Sequence, residues 1–144
     1  MAPDAAITQL DELRAVTESV LLPTLARRKG RWDLGPTFDG SHFLSGDADL
    51  IAAGLLLEVK TSLGRKGKDG MHRPTLDKQT VLQLAGYTLM DFTNRYEISE
   101  LGVFSARYRS LITWQQSEFF NTLGNRHVDL AAEREAFSSL LRNM

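Results

Sequence analysis

A chain of 144 residues has room for one sizeable core and little room for two. Apolar residues at 42% and charged residues at 24% exclude a disordered chain, and a net charge of −1 neither advertises nor forbids a nucleic-acid partner, because a local basic patch still steers one. The absence of cysteine excludes disulfides, thiolate zinc sites and cysteine-ligated iron–sulfur clusters.

The opening stretch, "MAPDAAITQLDELRAV", lacks the basic and apolar regions of a secretory signal, and no run approaches the ~18 apolar residues that span a bilayer. These features predict a cytoplasmic protein with no membrane partner. Over residues 4–28, Ile7, Leu10, Leu13, Val16, Val20, Leu21 and Leu25 recur at a mainly helical spacing. The expectation is an amphipathic helix bent near Pro23. From Lys29 to Gly46, Gly, Pro and Asp punctuate short apolar stretches, and "SHFL" reads as a first short strand.

"DADLI" and "LLLEVKT", joined by "AAG", predict an antiparallel hairpin with Gly54 free to take a positive φ. The stretch "GRKGKDGMHRPT", residues 64–75, combines three glycines, a proline and four Lys or Arg, and reads as a mobile basic loop. Helical spacing resumes over residues 76–93 through Leu76, Val81, Leu84, Leu89 and Met90, with Asp77 near the start. "ELGVFSA" and "SLITW" read as a strand pair around "RYR", followed by two closing helices, "SEFFNTL" and "DLAAEREAFSSLLR", separated at Gly124-Asn125. The order predicts an α/β fold with one central mixed β-sheet flanked by helices.

Within the hairpin, strand alternation points Asp47 and Asp49 one way and Ala48 and Leu50 the other, and gives Glu58 and Lys60 a common face. Pairing through "AAG" sets Asp49 nearly opposite Glu58, at a range of ~5 Å where two carboxylates repel unless a cation sits between them. Oxygen-only ligands suit Mg²⁺ or Mn²⁺, which take one or two protein carboxylates and keep positions for water and phosphate. Lys60 alongside would orient or deprotonate an attacking water, an arrangement suited to phosphodiester hydrolysis.

Three motifs stand in order: Gly46-Asp47-Ala48-Asp49, then Glu58-Val59-Lys60, then Gln83-Leu84-Ala85-Gly86-Tyr87. In this the chain resembles the PD-(D/E)XK nuclease superfamily, in particular its RecB-like branch. The resemblance covers about residues 5–114 and implies a restriction-endonuclease-like αβββαβ core, extended by C-terminal helices over about 115–144 within a single 1–144 domain. It implies a Mg²⁺-dependent deoxyribonuclease that leaves a 5′-phosphate and a 3′-hydroxyl. By the same resemblance Asp49 and Glu58 are metal ligands, the Val59 carbonyl a third, and Lys60 the catalytic lysine, with Gln83 and Tyr87 organising substrate or site. Relatives also place an acid or histidine on the first helix near the metal; Glu18 fits that role better than Glu12 because it borders the apolar stripe.

Many RecB-like relatives carry a four-cysteine iron–sulfur cluster, and this chain has none, which sets it apart from the helicase-associated and CRISPR-adaptation subgroups. With no attached helicase or DNA-binding module, target choice would fall to a homodimer or to a larger nuclease, helicase or defence complex. Arg65, Lys66, Lys68 and Arg73 would contact DNA phosphates without reading sequence, or form a solvated loop. Gln79, Gln83 and Tyr87, four residues apart, share a helix face that would line the cleft. Asp47 is either a ligand for a second ion or a solvent-facing strand end. His42, His72 and His127 have no ligand spacing, and Trp32, Phe38, Trp114, Phe119 and Phe120 read as core or interface. The alternative function is a catalytically inactive nuclease-fold subunit that binds DNA or protein, or an assembly module that dimerises through its aromatic C-terminal half.

Overall fold

The structure is a computed structural model that describes residues 4–144; residues 1–3, which the single-domain expectation includes, lie outside the described residues. The N-terminal stripe folds as α1 (Asp4–Val16), a π-helical turn (Thr17–Leu21) and α2 (Leu22–Ala26) end to end. Pro23 accounts for the π turn. It has no N–H for the carbonyl four residues back and its ring crowds that position. The ladder loosens just before it, and Leu22 N–H donates to the Thr17 carbonyl five residues back. Leu21 and Leu25 are buried and Leu13, Val16 and Val20 pack beside them, whereas Ile7 and Leu10 near the start of α1 stay exposed.

The strands that follow are β1 (Trp32–Leu34), β2 (Leu50–Ala52), β3 (Leu55–Lys60), β4 (Arg65–Lys66) and β5 (His72–Arg73). After α3 (Lys78–Met90) come β6 (Glu100–Ser105), β7 (Ser110–Gln115), α4 (Gln116–Gly124) and α5 (Leu130–Arg142). Five strands form one sheet in the order β1-β2-β3-β6-β7, antiparallel except for the parallel pair β3–β6, whose crossover contains α3. The chain is therefore α/β with a mixed central sheet flanked by helices. No helix among the described residues is long and apolar enough to cross a membrane.

Local chemistry explains most of these boundaries. The β2–β3 turn is two residues, Ala53 and Gly54, with φ of 48° and 82°, the doubly left-handed geometry that matches the twist of a hairpin. Asp77 caps α3 by accepting the Thr80 N–H at 2.7 Å, and Asn125 ends α4 at φ 50°.

Three expectations are corrected. "SHFL" is not a strand: Asp39–His42 form a 3₁₀ turn, in which the Ser41 hydroxyl accepts the Phe38 N–H at 2.9 Å and donates to the Gly46 carbonyl at 3.0 Å. The first strand is Trp32–Leu34 instead, a short edge strand with no buried residue. The basic stretch expected as a loop folds as a separate ribbon, pairing Arg65 with Arg73 and Lys66 with His72. "DADLI" is not one continuous strand either. The ladder begins at Leu50, Asp49 sits in a bend, and Asp47 makes an isolated bridge to Thr37. The bend breaks the alternation, so Ala48 joins one core and Leu50 the other.

Those two cores lie on opposite faces of the sheet. On one face Leu50, Ala52, Leu55, Leu57 and Phe104 pack against Leu21 and Leu25. On the other, Ile51, Leu56, Leu101 and Val103 pack against Leu84, Ala85 and Tyr87 of α3 and Phe119 and Phe120 of α4.

Candidate functional site

Along β3 the side chains alternate between these cores. Leu55 and Leu57 belong to the α1–α2 side with Val59 packed against it, and Leu56 belongs to the α3 side. Glu58 and Lys60 share the parity of Leu56 and so leave the sheet towards α3. Glu58 is buried, with 7% of its surface exposed. A carboxylate in that position is costly unless it is paired. Lys60 Nζ provides the partner, donating to Glu58 Oε1 at 2.9 Å while a third of its own side chain remains in contact with solvent.

Asp49 reaches the same strand by a different route. The β2–β3 register extended past Leu50 would set Ala48 opposite Val59. At the bend the ladder lapses, and Asp49 Oδ2 accepts the Val59 N–H at 2.7 Å. The exposed Asp49 carboxylate is thereby anchored to the β3 backbone between Glu58 and Lys60, from a bend and not from a regular strand pair.

From α3, Gln83 Nε2 donates to the Tyr87 hydroxyl at 2.7 Å. The Tyr87 ring is buried and stacks on Phe38, with centroids 5.3 Å apart and planes 15° from parallel. Its edge lies against Gly46, where an added Cβ would come within 2.9 Å of Tyr87 Cε1. The first and third motifs therefore touch directly: Gly46 is small because Tyr87 occupies the space a side chain would need. The Asp77 carboxylate caps α3 through the Thr80 N–H. Its pKa is held below the usual carboxylate value by the Thr80 N–H and hydroxyl, with the charges of Lys60 and Arg65 adding to the effect. Asp77 was legible in the sequence as a cap; the effect of Lys60 on it depends on tertiary packing.

The other predicted residues are placed variously. Glu18 is exposed and paired with Arg14 at 3.0 Å, on the rod that covers the opposite sheet face. Asp47 and Gln79 are exposed, and Val59 gives its N–H to Asp49 and its side chain to the α1–α2 core. Arg65, Lys66, Lys68 and Arg73 all stand exposed on the β4–β5 ribbon.

The donor set can be tested against the expected ion. Among the described residues no group of three or more His, Cys, Asp and Glu side chains comes together, so any ion here would have at most the carboxylates of Asp49 and Glu58. Two carboxylate oxygens fit Mg²⁺ or Mn²⁺, which keep several waters, and would be poor for a fully protein-caged Ca²⁺ or a structural Zn²⁺.

Sequence reasoning missed a second polar cluster beyond the far end of α3. Asp91, almost fully buried, accepts the N–H groups of Arg95 at 2.9 Å and Tyr96 at 3.2 Å. Burial raises its pKa against those bonds and the charge of Arg134, which is itself buried and donates through Nε to the Thr88 carbonyl at 3.1 Å. The only sequence signal was an Asp directly after the apolar end of a helix. No family model, curated protein or solved structure matches the chain, so the nuclease resemblance stands on its three motifs.

Proposed function

We propose that this protein is a metal-dependent nuclease of restriction-endonuclease-like fold, which hydrolyses phosphodiester bonds of DNA. The observation that carries the reading is that Asp49, held on the Val59 amide, and the ion pair of buried Glu58 with half-buried Lys60 stand at the end of one strand. The contact of Gly46 with Tyr87 supports it, because it joins the motif carrying Asp49 to the helix carrying Gln83.

Asp49 and Glu58 would hold the Mg²⁺ or Mn²⁺ ion, which when bound neutralises charge on the phosphate oxygens. Lys60, which donates to Glu58 here, would donate to the attacking water or to a phosphate oxygen and so fix the line of attack. The water oxygen bonds to phosphorus and gives a proton to solvent, the bond to the 3′-oxygen breaks, and the 3′-oxygen takes a proton from solvent and leaves as a hydroxyl. Gln83 and Tyr87 keep α3 set against the loop that carries Asp49.

The test is incubation of the purified protein with linear and supercoiled DNA in Mg²⁺ or Mn²⁺. Cleavage is expected to stop on addition of EDTA and to be lost in Lys60→Ala, with circular dichroism reporting that the variant is still folded. Absence of cleavage with either ion, together with no Mn²⁺ binding by calorimetry, would overturn the reading and leave the inactive-subunit alternative.

A further inference from the structure

We propose that the β4–β5 ribbon is a duplex clamp, which seats in the major groove of B-form DNA and gives the protein its preference for double strands. The siting of cleavage beside the ribbon rests on the nuclease reading above; the binding itself does not.

Charge is the first observation. Between Gly64 and Thr75 stand four Lys or Arg and one histidine against a single acid, in a chain whose net charge is −1. That acid, Asp69, is already paired with Arg73. The pairing register is the second. Arg65 lies directly across from Arg73, and Lys66 across from His72. Two arginines placed opposite one another destabilise a strand pair, and Asp69 offsets the charge of Arg73 alone, which leaves Arg65 and Lys66 for a row of phosphates to neutralise.

Burial gives the ribbon no other purpose. Every residue from Thr61 to Gln79 is exposed apart from the half-buried Gly67. Its root is nevertheless fastened to the sheet, since Arg107 donates to the Thr61 carbonyl and the Tyr108 hydroxyl to the Leu63 carbonyl. Gly64 closes the root at φ +70°, with the Arg73 carbonyl oxygen only 2.0 Å from where a Cβ would stand. The base lies beside the candidate site, because only four residues separate Lys60 at the end of β3 from Arg65 at the start of β4.

Dimensions select the duplex. Two strands about 4.8 Å apart enter the major groove of B-DNA, about 12 Å wide, whereas the deep, narrow major groove of A-form RNA does not admit them. A single strand presents one flexible row of phosphates and cannot fill both sides of the ribbon.

The experiment measures binding by fluorescence anisotropy in EDTA, so that no cleavage intervenes. The probes are a 20-base-pair DNA duplex, one of its strands alone, and the matching RNA duplex, each titrated over a range of salt. The parent protein is expected to bind the DNA duplex at least about tenfold more tightly than either other probe. The triple variant Arg65→Ala, Lys66→Ala, Arg73→Ala is expected to lose that preference, with the slope of log K against log salt falling by about 2 to 3. Gly64→Ala, which keeps every charge and distorts the root, is expected to lower duplex affinity as well, while circular dichroism reports an intact sheet and helices. Equal binding of the three probes by the parent, or duplex affinity and salt slope unchanged in the triple variant, would overturn the proposal. Duplex binding without cleavage would sink the nuclease reading alone, and cleavage indifferent to the triple variant would sink the clamp alone.

Discussion

The two faces of the sheet are built from the same strand and differ in kind. Leu55, Leu57 and Val59 meet the α1–α2 rod in a core whose buried members are all apolar. Leu56, Glu58 and Lys60 meet the α3 side, where a buried ion pair, the Gln83–Tyr87 hydrogen bond and the Asp91–Arg134 cluster are set among apolar residues. One face holds the sheet together, and the other gives up some apolar burial to keep charged groups in place. The difference begins at a single position: up to Leu57 both faces of β3 are apolar, and from Glu58 onward only one is.

Substituting neighbouring residues on β3 separates the two roles. Glu58→Gln keeps size and removes the negative charge; it is expected to cut the proposed cleavage about 10³-fold, near 4 kcal/mol in activation free energy, while chemical denaturation finds stability changed by no more than about 1 kcal/mol. The opposite pattern is expected one position earlier. Leu57→Ala should cost about 3 kcal/mol of stability in the same denaturation experiment and leave the specific activity of the folded fraction intact. If both variants lost activity and stability together, the two faces would not be separable.

The smallest effect is a pH dependence confined to the α3 side. Asp39 accepts the Thr93 N–H at 2.9 Å and its hydroxyl at 2.8 Å. Partial burial pushes the Asp39 pKa up, but those two bonds and the charge of Arg95 outweigh it and hold the pKa below 3.8. A carboxyl whose folded pKa is depressed contributes stability above its unfolded value and loses it as pH falls through the folded one. Asp39→Asn is therefore expected to be less stable than the parent at neutral pH, with the gap closing once the pH drops below 3.8, as followed by urea denaturation across pH. A gap that stays constant down to pH 2 would remove Asp39 from the acid response.

Much of this was legible in the sequence because the signals were local. The hairpin turn with Gly54 at positive φ, the Asp77 cap, the Asn125 stop and the β6–β7 pair all follow from residue chemistry over a few positions, although Ala52, expected in the turn, belongs to β2. The failures have a common cause. "SHFL" carries strand-like residues, yet Gly40 is pressed against Met90, with a Cβ there coming within 2.7 Å of its side chain, and the Ser41 hydroxyl ties the turn back to Phe38 and Gly46. Trp32–Leu34 is held as an edge strand by pairing with β2 and shows no inward apolar pattern to find. At the site, alternation placed Glu58 and Lys60 correctly relative to one another, while the bend at Asp49 was invisible because its compensation comes from a backbone amide ten residues away. Glu18 was chosen for its place at the border of the stripe, and its partner is Arg14 on the same helix.

The parallel pairing of β3 with β6 also sets the order in which the chain can assemble. The β2–β3 hairpin closes over two residues, whereas β6 can join β3 only after residues 61–99 have been looped back. Loop closure of that length must be met before any β3–β6 contact forms, so the hairpin is available early and the strand that completes the sheet arrives late. Until then the backbone edge of β3 that β6 will pair with is an open template for another chain.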